Sequence, residues 1–161
     1  MARIELSTTI AAPRERCFDL ARSVELHVRS TSATGERAVG GRTAGLLGPG
    51  DEVTWRAWHL GVRQSLSGRI SAYDRPRHFR DTMLRGAFAR LVHDHFFDEA
   101  DGGGTRMRDV LEYAAPLGPL GRLAERLFLT AYLRRFLEAR NRELKAVAES
   151  DAWRQFVPTD R

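Results

Sequence analysis

Residues 51–114 contain five strand-like segments joined by short connections, and this feature constrains the fold more than any other. In chain order, the segments span roughly residues 51–60, 63–73, 77–85, 89–98 and 104–114. Connections this short form antiparallel hairpins, because a parallel crossover needs about a dozen residues or more. The sequence therefore predicts an antiparallel sheet built from consecutive hairpins.

The chain before this region predicts strands and two short helices. Residues 3–10 alternate between apolar and polar side chains, as a half-buried strand does. Residues 13–31 begin with a proline, which suits the first turn of a helix, and carry two apolar groupings that break near Ser23. A further strand is expected near residues 36–39, before a mobile glycine-rich loop at 40–50.

Residues 119–149 predict one long amphipathic helix. The apolar positions that recur at helical spacing are Leu120, Leu123, Leu127, Ala131, Leu137, Leu144 and Val147. The apolar face of the sheet needs a cover, and only this helix is long enough to provide it. We therefore predict an α+β fold in which a curved antiparallel sheet of about six to seven strands wraps around a long C-terminal helix.

A chain of 161 residues has about the length of one domain. We expect a single domain over residues 1–149 and a C-terminal tail over 150–161. Cys17 is the one cysteine and is expected to pack as a small hydrophobe. No apolar run approaches the roughly 20 residues of a membrane span, and no secretory signal pattern is present. These features predict a cytoplasmic protein without stable membrane insertion.

The net charge of +5 raises the question of nucleic-acid binding. All 26 basic residues except Lys145 are arginine, whose very high pKa raises the isoelectric point by itself. Acidic residues are interleaved with the arginines along most of the chain, and no long block of like charge occurs. We therefore expect no nucleic-acid partner.

Side-chain alternation predicts which residues of each strand point inward. In residues 63–73 the apolar set is Leu66, Gly68, Ile70 and Ala72, while the intervening residues are serine or arginine. The same alternation gives four further inward sets. They are Val53, Trp55, Ala57 and His59; Phe79, Asp81, Met83 and Arg85; Leu91, His93, His95 and Phe97; and Met107, Asp109, Leu111 and Tyr113. The predicted interior is therefore mainly apolar but contains ionisable groups.

The stretch LVHDHFF places His93 and His95 on the same face of one strand. If the tripeptide GAF at 86–88 closes the preceding hairpin, Asp81 lies opposite His93. On the other side, two registers are open, and they set Asp109 beside either His93 or His95. In both registers, two carboxylates and two imidazoles meet on the inward face.

Ionisable groups on a buried face must pair, bind water or line a cavity, because burying them without partners costs several kcal/mol each. Gly68, predicted opposite Met83, has no side chain and would leave space, which favours a cavity that a ligand enters. The alternative is a satisfied buried network that only fixes the register of the strands.

Two histidines one residue apart can also bind a metal together with a carboxylate. This motif is short, however, and the further histidine at His59 lies two strands away. A serine or cysteine nucleophile is not expected near His93 either. We therefore expect no metal and no cofactor.

Two stretches carry a family resemblance: YDRPRHFRDTMLRGAFARLVHDHFF at 73–97 and GGGTRMRDVLEYAAPLGPLG at 102–121. Together with the order of elements over about residues 3–148, they resemble the SRPBCC superfamily of START-type lipid-transfer domains and polyketide cyclase/dehydrase-like proteins, here its stand-alone bacterial members. The matching positions are Asp74–Pro76, Phe79, Asp81, Gly86, Phe88, His93, His95, Phe97, Gly104, Thr105, Asp109 and Tyr113. The resemblance implies a helix-grip fold with a deep, mainly apolar cavity between the sheet and the C-terminal helix. It does not imply one activity.

Two functional hypotheses from different classes remain. The first is binding or transport of a small hydrophobic molecule, lipid-like or aromatic, as the partner. Its candidate ligand-binding residues are Trp55, His59, Phe79, Asp81, Met83, Arg85, Leu91, His93, His95, Phe97, Met107, Asp109, Leu111 and Tyr113.

The second hypothesis is a cyclase, dehydratase or isomerase that uses the same cavity. Here His93 or His95 acts as general acid/base, Asp81 or Asp109 sets its tautomer, and Arg85 or Tyr113 stabilises an enolate oxygen. An interaction protein is a third option. The glycine-rich loop, with Leu46 and Leu47, either gates the cavity or is a plain connection.

Overall fold

A seven-stranded antiparallel sheet forms the body of the protein, as shown by a computed structural model that describes residues 1–159. The strands are β1 Ala2–Ile10, β2 Arg37–Gly41, β3 Glu52–His59, β4 Val62–Asp74, β5 His78–Arg85, β6 Arg90–Ala100 and β7 Gly104–Ala114. Their order in the sheet is β1-β7-β6-β5-β4-β3-β2. The predicted meander from β3 to β7 is therefore confirmed, and β1 completes the sheet beside β7.

Two short helices and a longer helical run accompany the sheet. The helices are α1 Arg14–Ala21, α2 Val24–Ser30, α3 Gly118–Ala124 and α4 Thr130–Ala148. Ser23 separates α1 from α2 and caps α2, because its side chain accepts a hydrogen bond from the Leu26 backbone N–H. The curved sheet and the 31-residue C-terminal helical run give the predicted helix-grip fold. None of the helices in residues 1–159 combines the length and apolar character that a membrane span requires.

The C-terminal helix is not one regular α-helix, which corrects the prediction for 119–149. A π-helical turn, Glu125–Leu129, joins α3 to α4. One extra residue in such a turn rotates the flanking faces by about 100° relative to each other. Leu120, Leu123, Leu127 and Ala131, which were predicted to face the core, are exposed.

The registers around β6 decide where the ionisable groups meet. Asp81 pairs with His93 between β5 and β6, as predicted. Between β6 and β7, His95 pairs with Asp109, which is the second of the two registers left open by the sequence. The inward row is therefore Asp81 beside His93, and Asp109 one pair further along the strand.

A β-bulge in β4 changes which side chain at the end of this strand faces the core. The register with β5 shifts between Ile70 and Ala72, so alternation fails beyond this point. Tyr73, rather than Ala72, supplies the core contact, and its ring packs edge-on against Phe18 with centroids 5.4 Å apart. Phe18 makes similar edge contacts with Phe79 and Phe97, so α1 is anchored to the sheet by an aromatic cluster.

Two surface segments are tied to the body of the protein. In the glycine-rich loop, the Leu47 N–H donates to the Arg22 carbonyl and the Gly45 N–H donates to the Glu25 carboxylate. In the tail, Trp153 and Phe156 pack against the core. The last two residues of the predicted tail, 160 and 161, lie outside the described residues.

Candidate ligand-binding cavity

Two adjoining cavities lie between the concave face of the sheet and α4. The cavity beside His59 and Leu133, here called the outer cavity, has a volume of about 180 Å³. The cavity beside Ala21 and Arg140, here called the inner cavity, has a volume of about 90 Å³. The residues that line both are His27, Trp55, Asp81, His93, Phe136 and Leu137. The polar cluster predicted from the sequence therefore stands where the two cavities meet.

The wall of the outer cavity is mainly apolar. Strands β3 to β7 and the hairpin before β6 contribute one side, and the first turns of α4 contribute the other. Its apolar lining includes Trp55, Leu66, Phe88, Leu91, Leu111, Leu129, Leu133, Phe136 and Leu137. The Tyr132 hydroxyl lies 2.7 Å from His59 Nδ1, so these two polar groups of the wall form a hydrogen bond with each other.

Asp109 organises the ionisable cluster from behind the cavity wall. It is completely buried, and its Oδ1 lies 3.0 Å from His93 Nε2 and 2.8 Å from His95 Nδ1. The His95 N–H does not point at this oxygen, so that contact is close but not a well-formed hydrogen bond. The Asn141 amide donates to Oδ2 at 2.7 Å, and Arg140 Nη1 lies 3.6 Å from Oδ1. These partners offset the free-energy cost of burying the Asp109 carboxylate.

These contacts set the charge states of the cluster. Burial alone would raise the pKa of Asp109, but the contacts with His93 and His95 outweigh it and hold the pKa well below its usual value. Burial lowers the pKa of His95 to about 3, and the charge of His93 acts in the same direction. Asp109 is therefore ionised and His95 is neutral near pH 7.

His93 lines the ligand space, as Asp81 does. Asp109 binds its Nε2, which favours the tautomer with the proton on that nitrogen. Its other ring nitrogen, Nδ1, has no hydrogen-bond partner within residues 1–159, and His93 lines both cavities. An imidazole that a carboxylate binds at one ring nitrogen, with the other nitrogen unpartnered, can act as a general base.

The sequence predicted an empty space beside Gly68, but the Asp81 carboxyl group fills this space. A Cβ atom on Gly68 would collide with Asp81 Oδ1, so the missing side chain accommodates the carboxyl group, which corrects the expectation of empty space. Burial raises the pKa of Asp81 and outweighs the opposing effects of His93, His27 and Arg140. Oδ1 has no hydrogen-bond partner among the described residues, and a protonated carboxyl group there can also donate.

Arg140 brings a buried positive charge to the inner cavity. Its guanidinium contacts are long: 3.4 Å from Nη2 to the Ala21 carbonyl and 3.4 Å from Nη1 to Asn141 Oδ1. Weakly bonded donors in a buried cation can bind a carbonyl or anionic oxygen more strongly than neutral donors do. The inner cavity is therefore suited to the polar end of a ligand.

The structure places eight of the fourteen predicted ligand-binding residues on the cavity walls. They are Trp55, His59, Phe79, Asp81, Leu91, His93, His95 and Leu111. The other six, Met83, Arg85, Phe97, Met107, Asp109 and Tyr113, line neither cavity.

The reasons for these six positions differ. Asp109 is fully buried behind the cavity wall, and the half-buried Met83 packs its sulfur beside Gly86. Phe97 and Met107 are fully buried in the core, where no ligand reaches. Tyr113 is also fully buried, and its hydroxyl lies 2.5 Å from Thr130 Oγ1. Arg85 is exposed at the end of β5, because a register shift precedes its pairing with Ser67.

Several cavity residues were not predicted from the sequence. Leu129, Leu133 and Arg140 follow a helical spacing that continues one stripe of α4, so this spacing could have identified them. His27 in α2 and Glu36 before β2 form a further hydrogen-bonded pair on the wall, with His27 Nε2 2.9 Å from Glu36 Oε1. No periodic pattern marks either residue.

His93, His95 and Asp109 also form a group whose donor atoms lie within 4.8 Å of one another. Two imidazoles and one carboxylate are ligands that several metals accept. Asn141 and Arg140, however, already contact this carboxylate, and a guanidinium 3.6 Å away opposes a second cation. The donor set therefore does not favour a metal.

A family model described as "Polyketide cyclase / dehydrase and lipid transport" matches residues 1–149. The chain belongs to this family. Within the wider START/SRPBCC superfamily, the match covers every element from β1 to α4, including each residue of the ionisable cluster. A search of curated protein sequences finds no match to this family member.

Solved structures share the fold of this family member at low sequence identity. The Zhui aromatase/cyclase from Streptomyces sp. R1128 has a TM-score of 0.74 and 16% identity, covering 92% of this chain and 93% of its own. TTHA0849 from Thermus thermophilus has a TM-score of 0.70 and 20% identity, covering 91% and 99%. A START superfamily protein from Mycobacterium smegmatis has a TM-score of 0.68 and 10% identity, covering 91% and 97%. At these identities the similarity concerns the fold.

Proposed function

We propose that this protein binds a small hydrophobic, lipid-like or aromatic molecule in the joined cavities. The observation that carries the proposal is the contrast between them: the outer cavity has a mainly apolar wall, Arg140 and His95 line only the inner cavity, and Asp81 lies where the two meet. Such a site holds the apolar body of a ligand outside and orients one polar end inside. The family description, which includes lipid transport, supports this class of ligand.

Filling the outer cavity tests the proposal. A cavity of about 150 Å³ can bind benzene, so the joined cavities have room for a two-ring aromatic such as naphthalene. Leu133→Trp fills the outer cavity from α4, whereas Leu127→Trp adds the same ring at an exposed position of the same helical run. Saturation-transfer NMR should detect naphthalene on the wild type and on Leu127→Trp but not on Leu133→Trp. Equal signals from all three proteins, or none from the wild type, would refute the proposal.

A second candidate function is proton transfer, as in a cyclase or dehydratase. The observation that favours it is that His93 lines both cavities and that Asp109 binds its Nε2, which leaves Nδ1 without a hydrogen-bond partner among the described residues. A base in this position could remove a proton beside a ligand carbonyl, and Arg140 could stabilise the resulting enolate oxygen. The Zhui protein, which is named as an aromatase/cyclase, has the same fold and supports the class of reaction.

The bicyclic ketone 1-tetralone separates the two candidate functions. If His93 is a base, the wild type accelerates exchange of the α-protons of this ketone into D₂O, and His93→Gln abolishes the acceleration while the ketone still binds. Binding without acceleration in the wild type leaves only the binding function.

The proposed setting is the cytoplasm, with a small molecule and no nucleic acid as the partner. The free thiol of Cys17 is buried, so folding requires no oxidising compartment. Arginines on the outer face are engaged in ion pairs: Arg80 contacts Asp94 at 2.8 Å and Arg3 contacts Glu5 at 3.0 Å. These pairs support a solubilising role for the basic residues.

A further inference from the structure

His27 and Glu36 form a hydrogen-bonded pair at the cavity that neither function above uses. His27 Nε2 lies 2.9 Å from Glu36 Oε1, and both residues line the outer cavity. They come from α2 and from the residue before β2, so they are separate from the His93 and Asp109 pair on β6 and β7. This pair is therefore a second polar group on the cavity wall.

The second carboxylate oxygen of Glu36 has no partner. Oε2 is buried and accepts no hydrogen bond from the described residues, and Glu36 as a whole is 8% exposed. An unsatisfied buried acceptor costs about 1–3 kcal/mol, so such atoms are rare unless a ligand or water supplies the donor. Oε2 is therefore an unpartnered acceptor on a residue that lines the outer cavity.

Glu36 requires a donor because it is ionised. Burial would raise its pKa, but the charge and hydrogen bond of His27, with smaller effects of His59 and Arg140, lower the pKa below the usual value. An ionised carboxylate accepts hydrogen bonds and cannot donate them. A ligand carbonyl or ether oxygen therefore cannot satisfy Oε2.

The neighbouring protein groups do not provide this donor. The ring of His27 stacks on Trp55 with centroids 4.1 Å apart, which fixes its position. Its Nε2 is already hydrogen-bonded to Oε1. His59 Nδ1 and the Tyr132 hydroxyl bond to each other. The rest of the outer wall near this pair is mostly apolar.

We propose that Glu36 Oε2 binds a hydroxyl group of the ligand, and that the ligand is a hydroxylated aromatic or polycyclic molecule. This inference rests on the proposed ligand-binding function. A neutral hydroxyl suits the site better than an ammonium group, because Arg140 already places a positive charge near the carboxylate.

The compounds 2-naphthol and 2-methoxynaphthalene test the inference, because they share one ring system and differ in the donor. By isothermal titration calorimetry, the wild type should bind 2-naphthol about tenfold more tightly than the methyl ether. Glu36→Leu should remove this preference, and Glu36→Gln, which keeps one acceptor oxygen, should reduce it. Gln64→Leu is the matched control, since it removes a polar group from the same wall and should keep the full preference.

The possible outcomes separate this inference from the function on which it rests. Equal affinities of both compounds for the wild type overturn the inference and leave the ligand-binding function standing. A preference that persists in both Glu36 variants also overturns it, because the hydroxyl then binds elsewhere. Tighter binding of 2-naphthylmethylamine than of 2-naphthol overturns the choice of a hydroxyl. Absence of binding by all three compounds refutes both proposals.

Discussion

His93 Nε2 lies 3.0 Å from Asp109 Oδ1, although these two residues are not paired across the β6–β7 ladder. His95 is the residue paired with Asp109, so one buried carboxylate contacts both imidazoles on the strand. Arg140 and Asn141 contact the same carboxylate from α4. Asp109 thereby links the sheet to the helix at the inner end of the cavity.

Replacing Asp109 should strongly destabilise the protein. Asp109→Asn leaves the buried guanidinium of Arg140 without an anionic partner among the described residues, and removing one partner of a buried ion pair costs about 3–5 kcal/mol. Urea unfolding measures this loss. Asp98→Asn, at an exposed position of β6, should change stability by about 0.5 kcal/mol or less. Equal effects of both substitutions would contradict the role given to Asp109.

His95 should make stability fall as the pH is lowered. Its pKa is about 3 in the folded protein against 6.5 for a free side chain, so below about pH 6.5 the unfolded chain binds a proton that the folded protein does not. The unfolding free energy should therefore decrease between pH 7 and pH 5 by about 1–2 kcal/mol more in the wild type than in His95→Gln. Urea unfolding at the two pH values checks this, and identical pH dependence in both proteins would exclude His95 as the source.

Gly68 should be required because of Asp81. Gly68→Ala places a methyl group against the Asp81 carboxyl, and such overpacking costs about 1–3 kcal/mol. In an Asp81→Ala background the same substitution should cost much less, because the carboxyl group is gone. A double-mutant cycle by urea unfolding measures the difference. Additive effects would show that the two residues do not compete for this space.

The sequence was sufficient for the elements and for the inward faces of most strands. Short connections required hairpins, and alternation placed Trp55, Asp81 and His93 correctly on the cavity wall. The pairing of Asp81 with His93 followed from the hairpin at 86–88. These features depend on local periodicity, which one sequence contains.

Features without local periodicity were not predictable. The bulge after Ile70 and the π-helical turn at Glu125–Leu129 each add one residue that no pattern marks, and each changes which side chains face inward. The pair of His27 and Glu36 depends on how two separate segments pack. Long-range packing, rather than local sequence, completes the site.

Native mass spectrometry of protein purified from its own host tests the central claim, that the joined cavities hold a small molecule, most directly. We predict that the wild type and Leu127→Trp carry the same added mass, which organic extraction releases as a small hydroxylated hydrophobic compound. Leu133→Trp, with its outer cavity filled, should carry none. The same added mass on Leu133→Trp, or no added mass on the wild type, would contradict this account.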